Sequence, residues 1–340
     1  MSKPIINGAV IGYGGQFNMG GLHLKCMAAN GITPYAACDI DPARVTAAKT
    51  EFPGIKTYTD YHEMLKDPDL HIAAVILPHN LHHAACVDVL SSGKHCICEK
   101  PFTLTVAEAD EIVNLSKSTG KTMAVFHNRR FDPDHLAKMK LIGEGAIGEV
   151  FHIEAGMANY AKPRDWWRSD KAISGGNLYD WGVHFTDWIL DLIPDPIESV
   201  CAWYQKRVWS DYSNEDETMY SIRFKSGKYA NLQISGIAAA PIPRFRILGT
   251  KGAILQSHEW SNTFTLTRVK DDKTVDETID FEAMGYGDSA QAWYADLAEH
   301  LINGTPLTVP VEAARRNIAV IEAAERSAVS RKPEPVAHEE

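Results

Sequence analysis

The sequence predicts an α/β protein of two domains, with a parallel sheet in the N-terminal domain and a mostly antiparallel sheet in a C-terminal α+β domain. Short apolar segments alternate with amphipathic segments up to about residue 127. Beyond residue 147, strand-like segments follow one another and are separated by turns such as 225–228 and 249–252. Alternating strands and helices require crossover connections and a parallel sheet, whereas consecutive strands joined by turns favour antiparallel pairing.

The N-terminal elements are predicted from apolar runs and their boundaries. Asp41 stands before Pro42, a pairing typical of a helix N-terminus. Strands with this apolar character are expected to be covered on both faces. The predicted strands are 5–11, 35–38, 72–77, 95–98 and 123–126, and the predicted helices are 19–29, 42–51, 81–90 and 106–118.

The C-terminal elements are mainly strands, with one helix among them and two more near the end of the chain. The predicted strands are 150–154, 199–205, 218–224, 229–234, 245–248 and 264–269, and the predicted helices are 183–192, 289–302 and 311–330. A chain of 340 residues suits two domains. We therefore expect domains at 1–127 and 128–330, followed by a polar tail at 331–340.

Composition restricts the classes of partner. The formal net charge is −10, and such an acidic surface repels the phosphate backbone of nucleic acid. No basic run favours an anionic membrane surface, and no apolar stretch approaches the roughly 18 residues of a membrane span.

The start of the chain lacks a secretory signal, so a cytoplasmic location is expected. The six cysteines lack metal or redox spacing and are expected to be buried, reduced thiols.

A glycine-rich turn follows the first predicted strand. Gly12, Gly14 and Gly15 would let the backbone approach a pyrophosphate, and the helix that follows would supply N–H donors. The third glycine of the dinucleotide-binding pattern G-x-G-x-x-G would fall at Phe17, and Gly20 comes three residues later. We therefore expect a lengthened loop in a Rossmann domain. A glycine turn in an ordinary strand–helix unit is the alternative.

The second predicted strand ends at Asp39, about 20–25 residues beyond the glycine turn, where such domains place an acid on the adenosine ribose. A carboxylate there accepts hydrogen bonds from both ribose hydroxyls and repels a 2′-phosphate. The turn 39–42 has no basic residue, and Arg44 lies inside the following helix. The sequence therefore favours NAD over NADP. A purely turn-forming role for Asp39 is the alternative.

Two motifs have the composition of a catalytic site. Glu99-Lys100-Pro101 follows a predicted strand, at the edge of a parallel sheet where ligands bind. Proline restricts Lys100 to an extended conformation and permits a cis peptide bond. Asp180 and His184 have the i, i+4 spacing that presents both side chains on one helix face, and histidine suits a general base. A surface Glu–Lys pair, an N-capping Asp and a core His are the alternatives.

An aromatic and basic segment, Trp166-Trp167-Arg168, precedes the second motif. Aromatic faces pack on the C–H surfaces of sugars, and arginine hydrogen-bonds hydroxyls or acids. Core packing for a tryptophan and a surface ion pair for Arg168 are the alternatives. Tyr160 and Asn128 are further candidates for the rim of the pocket.

Taken in order, these motifs resemble the Gfo/Idh/MocA oxidoreductase family, which includes inositol dehydrogenases and glucose–fructose oxidoreductase. The resemblance includes Gly-Gly-x-x-x-Asp-x-Gly-x-His at 175–184 and the segments 92–95 and 130–133, and it covers about residues 4–330. It implies a Rossmann domain, NAD(P) and hydride transfer at a carbinol carbon. It also implies an open C-terminal sheet that builds oligomers, here a homodimer or homotetramer.

The resemblance implies roles for three catalytic residues. His184 would remove a hydroxyl proton, Lys100 would hydrogen-bond the same oxygen and a cofactor ribose, and Asp180 would hold the substrate. The implied cofactor contacts are Gly12, Gly14, Gly15, Gln16, Phe17, Asn18, Asp39, Leu77, Pro78, His79, His82, Glu99, Lys100 and Asn128. The candidate substrate contacts are Tyr160, Trp167, Arg168, Asp180 and His184.

One departure from the family pattern is His79, which stands where the family often has asparagine. His79, His82 and His83 lie close in sequence, but no carboxylate or cysteine spacing supports a metal site, so none is expected. The lengthened glycine loop also changes the expected contacts with the cofactor.

The leading function is an NAD-dependent dehydrogenase of a sugar, glycoside or cyclitol hydroxyl. A redox-neutral glycosidase or lyase that oxidises a ring hydroxyl transiently with retained NAD is the alternative, because the same catalytic trio would serve it. A non-catalytic NAD-binding regulator is disfavoured by the intact Lys100, Asp180 and His184.

Overall fold

The computed structural model describes residues 5–15, 17–257 and 261–339. The chain divides into two compact units. The first unit comprises the chain up to Asn128 together with Ala290–Arg315, and the second comprises Arg129–Ser289 and the chain from Arg316 onward. The sequence predicts that all of 128–330 belongs to the second domain, whereas Ala290–Arg315 belongs to the first unit.

The first unit is built on six parallel strands in the order β3-β2-β1-β4-β5-β6, which confirms the predicted parallel sheet. Its elements are β1 (Ile6–Ile11), α1 (Met19–Ala29), β2 (Ile32–Cys38), α2 (Pro42–Glu51), β3 (Lys56–Tyr58), α3 (Tyr61–Leu65), β4 (Ile72–Val75), α4 (His82–Ser91), β5 (His95–Cys98), α5 (Val106–Thr119) and β6 (Met123–Val125). The strand order reverses between β1 and β4. Ligands bind at such a reversal, beyond the carboxyl ends of the strands.

The second unit contains an eight-stranded sheet in the order β14-β13-β12-β11-β7-β10-β9-β8. Its elements are α6 (Pro133–Gly143), β7 (Val150–Ala158), α7 (Lys171–Ser174), α8 (Val183–Leu192), β8 (Ile197–Gln205), β9 (Glu217–Phe224), β10 (Tyr229–Ser235), β11 (Phe245–Gly249), β12 (Gly252–Gln256), β13 (Thr263–Lys270) and β14 (Lys273–Asp280). The chain closes with α9 (Ser289–Asn303) and α10 (Val311–Ser330). Among the described strands of this second sheet, only β7 and β10 pair in parallel, so the sheet is mostly antiparallel, as predicted.

Helix α9 joins the first unit through its aromatic side chains. The ring of Trp293 packs edge-on against Phe126 at 4.9 Å between centroids, and the Tyr294 hydroxyl lies 2.6 Å from Nδ1 of His23. Both α9 residues are buried. Burial of two large aromatic side chains against the parallel-sheet unit explains why this segment belongs there.

Helix α2 has the bounds that the sequence predicts, and a capping residue specifies its start. Asp41 caps α2 by accepting a hydrogen bond from the backbone N–H of Ala43 at 2.9 Å, with Pro42 in the first turn. The sequence patterns do not predict β3, α3, α6, α7, β12 or β14. Strand β14 lacked a signal because its side chains are almost all exposed at the edge of the sheet. None of the helices in the described ranges is long and apolar enough to cross a bilayer.

A buried ion pair lies in the core of the second unit. The Lys138 ammonium is fully buried and donates to Asp134 Oδ2 and Gln256 Oε1, both at 2.8 Å. It also lies 4.3 Å from the centre of the Phe245 ring. Burial alone would raise the pKa of Asp134, but the charges of Lys138 and Arg244 lower it below its ordinary value.

We predict that Asp134→Asn destabilises the second unit by about 3–5 kcal/mol, because it leaves the Lys138 ammonium buried without a negative partner. Urea unfolding at neutral pH measures the effect. The matched control is Glu198→Gln, which removes one side of the exposed Arg223–Glu198 pair and should change stability by about 0.5 kcal/mol or less. Equal stability of the two variants would contradict this account.

The Asp134 contribution also depends on pH. Because the folded pKa lies below the unfolded value, the stabilisation is present above the unfolded pKa and is lost as the pH falls through the folded pKa. Wild-type protein should therefore lose more stability on acidification from neutral pH than Asp134→Asn does.

Candidate active site

The loops that follow β1, β2, β4 and β5 all begin at the carboxyl edge of the parallel sheet. They contain Gly12, Asp39, Pro78 and Lys100, respectively. Parallel pairing of these strands places the four loops on one edge of the first unit. The sequence motifs for cofactor binding therefore share one region of this unit.

The glycine turn packs too closely for side chains at two positions. Gly12 has a φ of +99°, and a Cβ there would lie 2.1 Å from the Ile76 carbonyl oxygen. A Cβ on Gly20 would lie 2.7 Å from the Gly12 carbonyl oxygen, so α1 packs directly on the turn. Close packing of the helix is the role of the third glycine in the dinucleotide fingerprint. Gly20 performs it here, at the far end of a lengthened loop.

The remainder of this loop leads into α1. Asn18 caps the helix by accepting a hydrogen bond from Gly21 N at 3.3 Å. Phe17 is exposed, and both Gly14 and Gly15 adopt positive φ. Gln16, a candidate cofactor contact, lies outside the described residues. The loop thus places backbone groups and the exposed Phe17 ring beside the start of α1.

Asp39 is buried and holds the turn in shape. Its Oδ2 accepts from Tyr13 N at 2.8 Å, and its Oδ1 accepts from Asp41 N at 2.9 Å. The turn-forming role is therefore present, and each carboxylate oxygen retains capacity for a further hydrogen bond. The turn 39–42 itself has no basic residue, but a basic side chain reaches it from α2. Arg44 Nη1 lies 3.5 Å from Asp39 Oδ2, because its long side chain extends back to the start of α2.

The loop after β4 is tied to the loop after β5 by His82. Its Nδ1 lies 2.7 Å from the Pro101 carbonyl oxygen and its Nε2 lies 2.8 Å from the Leu77 carbonyl oxygen. His82 is fully buried, so its contacts support these loops from beneath. His79 is also buried, with its ring 5.7 Å from that of His82. No group of three potential metal ligands occurs within residues 5–15, 17–257 and 261–339.

Glu99 connects the Lys100 loop to two helices. Its Oε2 accepts from Lys100 N at 3.1 Å, and its Oε1 lies 3.1 Å from Nε2 of His23 on α1. The other nitrogen of His23 meets the Tyr294 hydroxyl of α9. Burial would raise the pKa of Glu99, but the hydrogen bond and charge of His23, followed by Lys100 and His82, lower it. The Lys100–Pro101 bond is cis, as the sequence permits.

His23 and Tyr294 are the residues that the sequence analysis missed in this region. Each is fully buried in a helix whose apolar neighbours hide the polar side chain. The available signal was His23 itself, a histidine on the helix after the glycine turn. Its partners, Glu99 and Tyr294, are too distant in sequence for a local pattern to indicate the contact. We assign the three side chains of Glu99, His23 and Tyr294 to one buried hydrogen-bonded chain.

In the second unit, Asp180 lies in a π-helical turn, Leu178–Gly182, that runs into α8. His184 lies in the first turn of α8. The spacing therefore places both residues in adjoining turns of one helical segment, as expected. Arg168 Nη1 donates to Asp180 Oδ1 in a short, charge-assisted hydrogen bond.

Arg168 is also in contact with aromatic rings. Its guanidinium carbon lies 5.0 Å from the Trp167 ring centre and 5.2 Å from that of Trp166. The side chains of Arg168 and Asp180 are 20% and 30% exposed, so the pair remains open to a ligand. The structure thus brings Trp167, Arg168 and Asp180 together.

His184 is buried between aromatic side chains. Its ring lies 5.5 Å from Trp181 and 6.1 Å from Trp188. Tyr160 is exposed and packs edge-on against Trp209 at 5.6 Å, which makes it the outermost of the candidate substrate residues. Asn128 begins a short 3₁₀ segment at the end of the first unit.

The two other acids of this helix, Asp187 and Asp191, are held in ion pairs within the second unit. Arg130 donates to both oxygens of Asp187, at 2.6 and 3.0 Å, and to Asp191 at 2.6 Å. His135 lies 2.7 Å from the other oxygen of Asp191. These pairs anchor α8 and leave Asp180 as the acid of this segment that faces the aromatic residues.

Two family models match the chain. Residues 6–127 match an oxidoreductase family NAD-binding Rossmann fold, and residues 139–337 match the C-terminal alpha/beta domain of the same oxidoreductase family. Together they cover the strands and most of the helices described above.

Individual relatives cover most of the chain. It is 27% identical to scyllo-inositol 2-dehydrogenase (NADP(+)) of Bacillus subtilis, over 87% of both chains. It is 30% identical to trans-1,2-dihydrobenzene-1,2-diol dehydrogenase of Xenopus laevis, over 71% of this chain and 72% of the other. The solved structure of a levoglucosan dehydrogenase with NADH and levoglucosan has the same fold, with a TM-score of 0.86 at 23% identity, over 98% of this chain and all of the other.

We predict that His23→Leu destabilises the first unit by about 1.5–3 kcal/mol, because Glu99 loses its hydrogen-bonded partner in a buried position. Adding Glu99→Gln to His23→Leu removes the buried charge and should recover part of that loss. Thermal unfolding of the two single variants and the double variant measures the coupling. Strict additivity of the two substitutions would show that the side chains do not interact.

Proposed function

Because the chain belongs to the Gfo/Idh/MocA oxidoreductase family, we propose that it transfers a hydride between NAD and a secondary hydroxyl of a sugar, glycoside or cyclitol. One observation supports this most directly. Arg168 and Asp180 form an accessible polar pair beside Trp166 and Trp167, one helical turn before His184. Aromatic faces next to paired polar groups suit a ring that bears hydroxyls.

The substrate class draws support from what similar proteins are named for. The Bacillus subtilis relative is named for a cyclitol, and the levoglucosan dehydrogenase structure contains an anhydrosugar. Both compounds are rings with several secondary hydroxyls. The Arg168–Asp180 pair offers such a ring both hydrogen-bond donors and acceptors.

The proposed cofactor fits the carboxyl edge of the first unit. The turn from Gly12 to Gly20 leaves backbone close to the start of α1, where N–H groups and the helix dipole favour a pyrophosphate. When bound, the nicotinamide supplies the hydride acceptor. Phe17, Leu77, Pro78 and His79 lie in the loops of this edge and remain proposed contacts.

Catalysis is assigned to Lys100, Asp180 and His184. His184 takes the hydroxyl proton as general base, in an environment of aromatic rings that limits access of water. Asp180 holds a substrate hydroxyl and is itself oriented by Arg168. The backbone N–H of Lys100 donates to Glu99. The Lys100 ammonium is proposed to donate a hydrogen bond to the substrate hydroxyl oxygen that loses its proton.

We further propose a cytoplasmic protein that forms homo-oligomers through the outward face of its eight-stranded sheet. Trp203, Tyr229 and Leu255 are exposed and share that face by register. Exposed large apolar side chains on one sheet face favour burial against another surface.

We predict that His184→Ala lowers kcat by about 10²–10⁴-fold with little change in NADH affinity, because the general base is lost. NADH formation from NAD with scyllo-inositol, levoglucosan and related polyols measures kcat, and fluorescence titration measures NADH binding. His62→Ala, which truncates an exposed histidine of the first unit, is the matched control. A near-normal kcat in His184→Ala would refute the assignment.

The same assay separates net oxidation from the redox-neutral alternative. NADH that accumulates in proportion to product supports the dehydrogenase. Turnover on enzyme-bound NAD alone supports a glycosidase or lyase.

We predict that Asp39→Ala lowers the preference for NADH over NADPH by about tenfold or more, because an anion that repels the 2′-phosphate is removed and Arg44 remains beside it. Fluorescence titration of both dinucleotides gives the two Kd values. Combining Asp39→Ala with Arg44→Ala should abolish any gain in NADPH binding. An unchanged NADH/NADPH ratio in Asp39→Ala would argue against a selecting role.

A further inference from the structure

A cavity of about 570 Å³ lies in the first unit, at the amino edge of the parallel sheet. It is bounded by Ile6 at the start of β1, His71 just before β4, His95 at the start of β5 and Lys121 just before β6. Strand β1, which joins this edge to the glycine turn at the carboxyl edge, is six residues long. At ~3.3 Å per residue, the cavity is roughly 20 Å from the glycine turn.

The lining of this cavity is basic although the chain is acidic. Lys94, Lys121, His71 and His95 contribute to its wall, and no carboxylate does. The formal net charge of the protein is −10, so a lining with two lysines and no carboxylate departs from the average surface. Such a concentration of positive charge in a concave site attracts anions.

Lys94 is buried without a carboxylate partner. It is 7% exposed, and among the described residues no Asp or Glu oxygen lies within salt-bridge distance of Lys94 or Lys121. Burial lowers the pKa of Lys94, and the charge of Lys121 adds to this, while Asp67 acts in the opposite direction. The Asp67 carboxylate is already bound by Lys56 at 2.7 Å. An ammonium group that has no carboxylate partner at this cavity can take a bound anion as its partner.

The two histidines are oriented as hydrogen-bond donors. Nδ1 of His71 accepts from Asn7 N at 3.0 Å, and Nδ1 of His95 accepts from Thr122 N at 3.0 Å. Each neutral ring therefore has its proton on Nε2. Burial, followed by the charges of Lys121, His300 and His71, lowers the pKa of His95 to about 4, so this ring is neutral at pH 7. Two ammonium groups and two N–H donors suit a ligand with several acceptor oxygens.

We propose that this cavity binds a phosphate group, held by Lys94 and Lys121 with His71 and His95 as additional donors. The phosphate is either inorganic or that of a small phosphomonoester. Apolar side chains, among them Ile6, Leu70 and Leu301, line the rest of the cavity and offer a surface for a carbon skeleton. Its volume lies within the range of small-molecule sites, roughly 300–1,000 Å³. The site is separate from the carboxyl edge assigned to the dinucleotide.

The test is calorimetric titration of the intact protein with inorganic phosphate and with glucose 6-phosphate, at constant ionic strength and with saturating NADH. Saturating NADH blocks phosphate binding at the glycine turn and prevents oxidation of the sugar. We expect one saturable site per chain. Lys94→Gln and Lys121→Gln should each weaken binding by about tenfold or more, because each removes a charge-assisted hydrogen bond. The matched control is Lys49→Gln, which removes an exposed charge of the same unit.

The outcomes separate the two sources of phosphate. Tighter binding of glucose 6-phosphate than of phosphate, abolished by Lys121→Gln, identifies a phosphomonoester site, and equal binding identifies an inorganic phosphate site. Glucose itself should not bind in a Lys121-dependent way. The proposal is overturned if neither probe binds saturably under NADH, or if Lys121→Gln binds as wild type does. Lys121 is partly exposed, so this variant decides the question even if Lys94→Gln does not fold.

Discussion

The first unit depends on the hydrogen bonds of the Glu99 carboxylate. It joins the backbone of Lys100 to His23 on the helix after the glycine turn, and His23 joins Tyr294 on α9. Three segments that are distant in sequence are thereby fixed around one buried charge. Breaking any link would leave a polar group buried without its partner, which is costly. A chain of hydrogen bonds thus couples the position of α1, the helix after the glycine turn, to the position of Lys100.

The second unit also holds its candidate catalytic residues in place through charged side chains with defined partners. Asp180 is held by Arg168, which packs beside two tryptophan rings. The helix that follows is anchored by Arg130 through Asp187 and Asp191. Charged side chains with defined partners hold both groups of candidate catalytic residues in place. Such support keeps reacting groups in a fixed orientation without help from the ligand.

Much of the fold could be predicted because the hydrophobic pattern repeats with the period of each element. Strand β14 was missed because an exposed edge strand has no apolar face. Helix α9 was assigned to the second domain because its partners, His23 and Phe126, are distant from it in sequence. Asp39, Lys100, Asp180 and His184 stood out through local motifs. His23, the reach of Arg44 and the basic cavity at Lys94 depend on tertiary contacts, which no local pattern reveals.

The central claim is hydride transfer from a ring carbon to the nicotinamide, and isotope transfer tests it most directly. Scyllo-inositol and levoglucosan labelled with deuterium on their ring carbons are incubated with the protein and NAD, and the dinucleotide is analysed by mass spectrometry. Net oxidation predicts deuterium in the reduced nicotinamide with at least one compound. A dinucleotide that stays unlabelled while a labelled ring is oxidised to product would contradict the account.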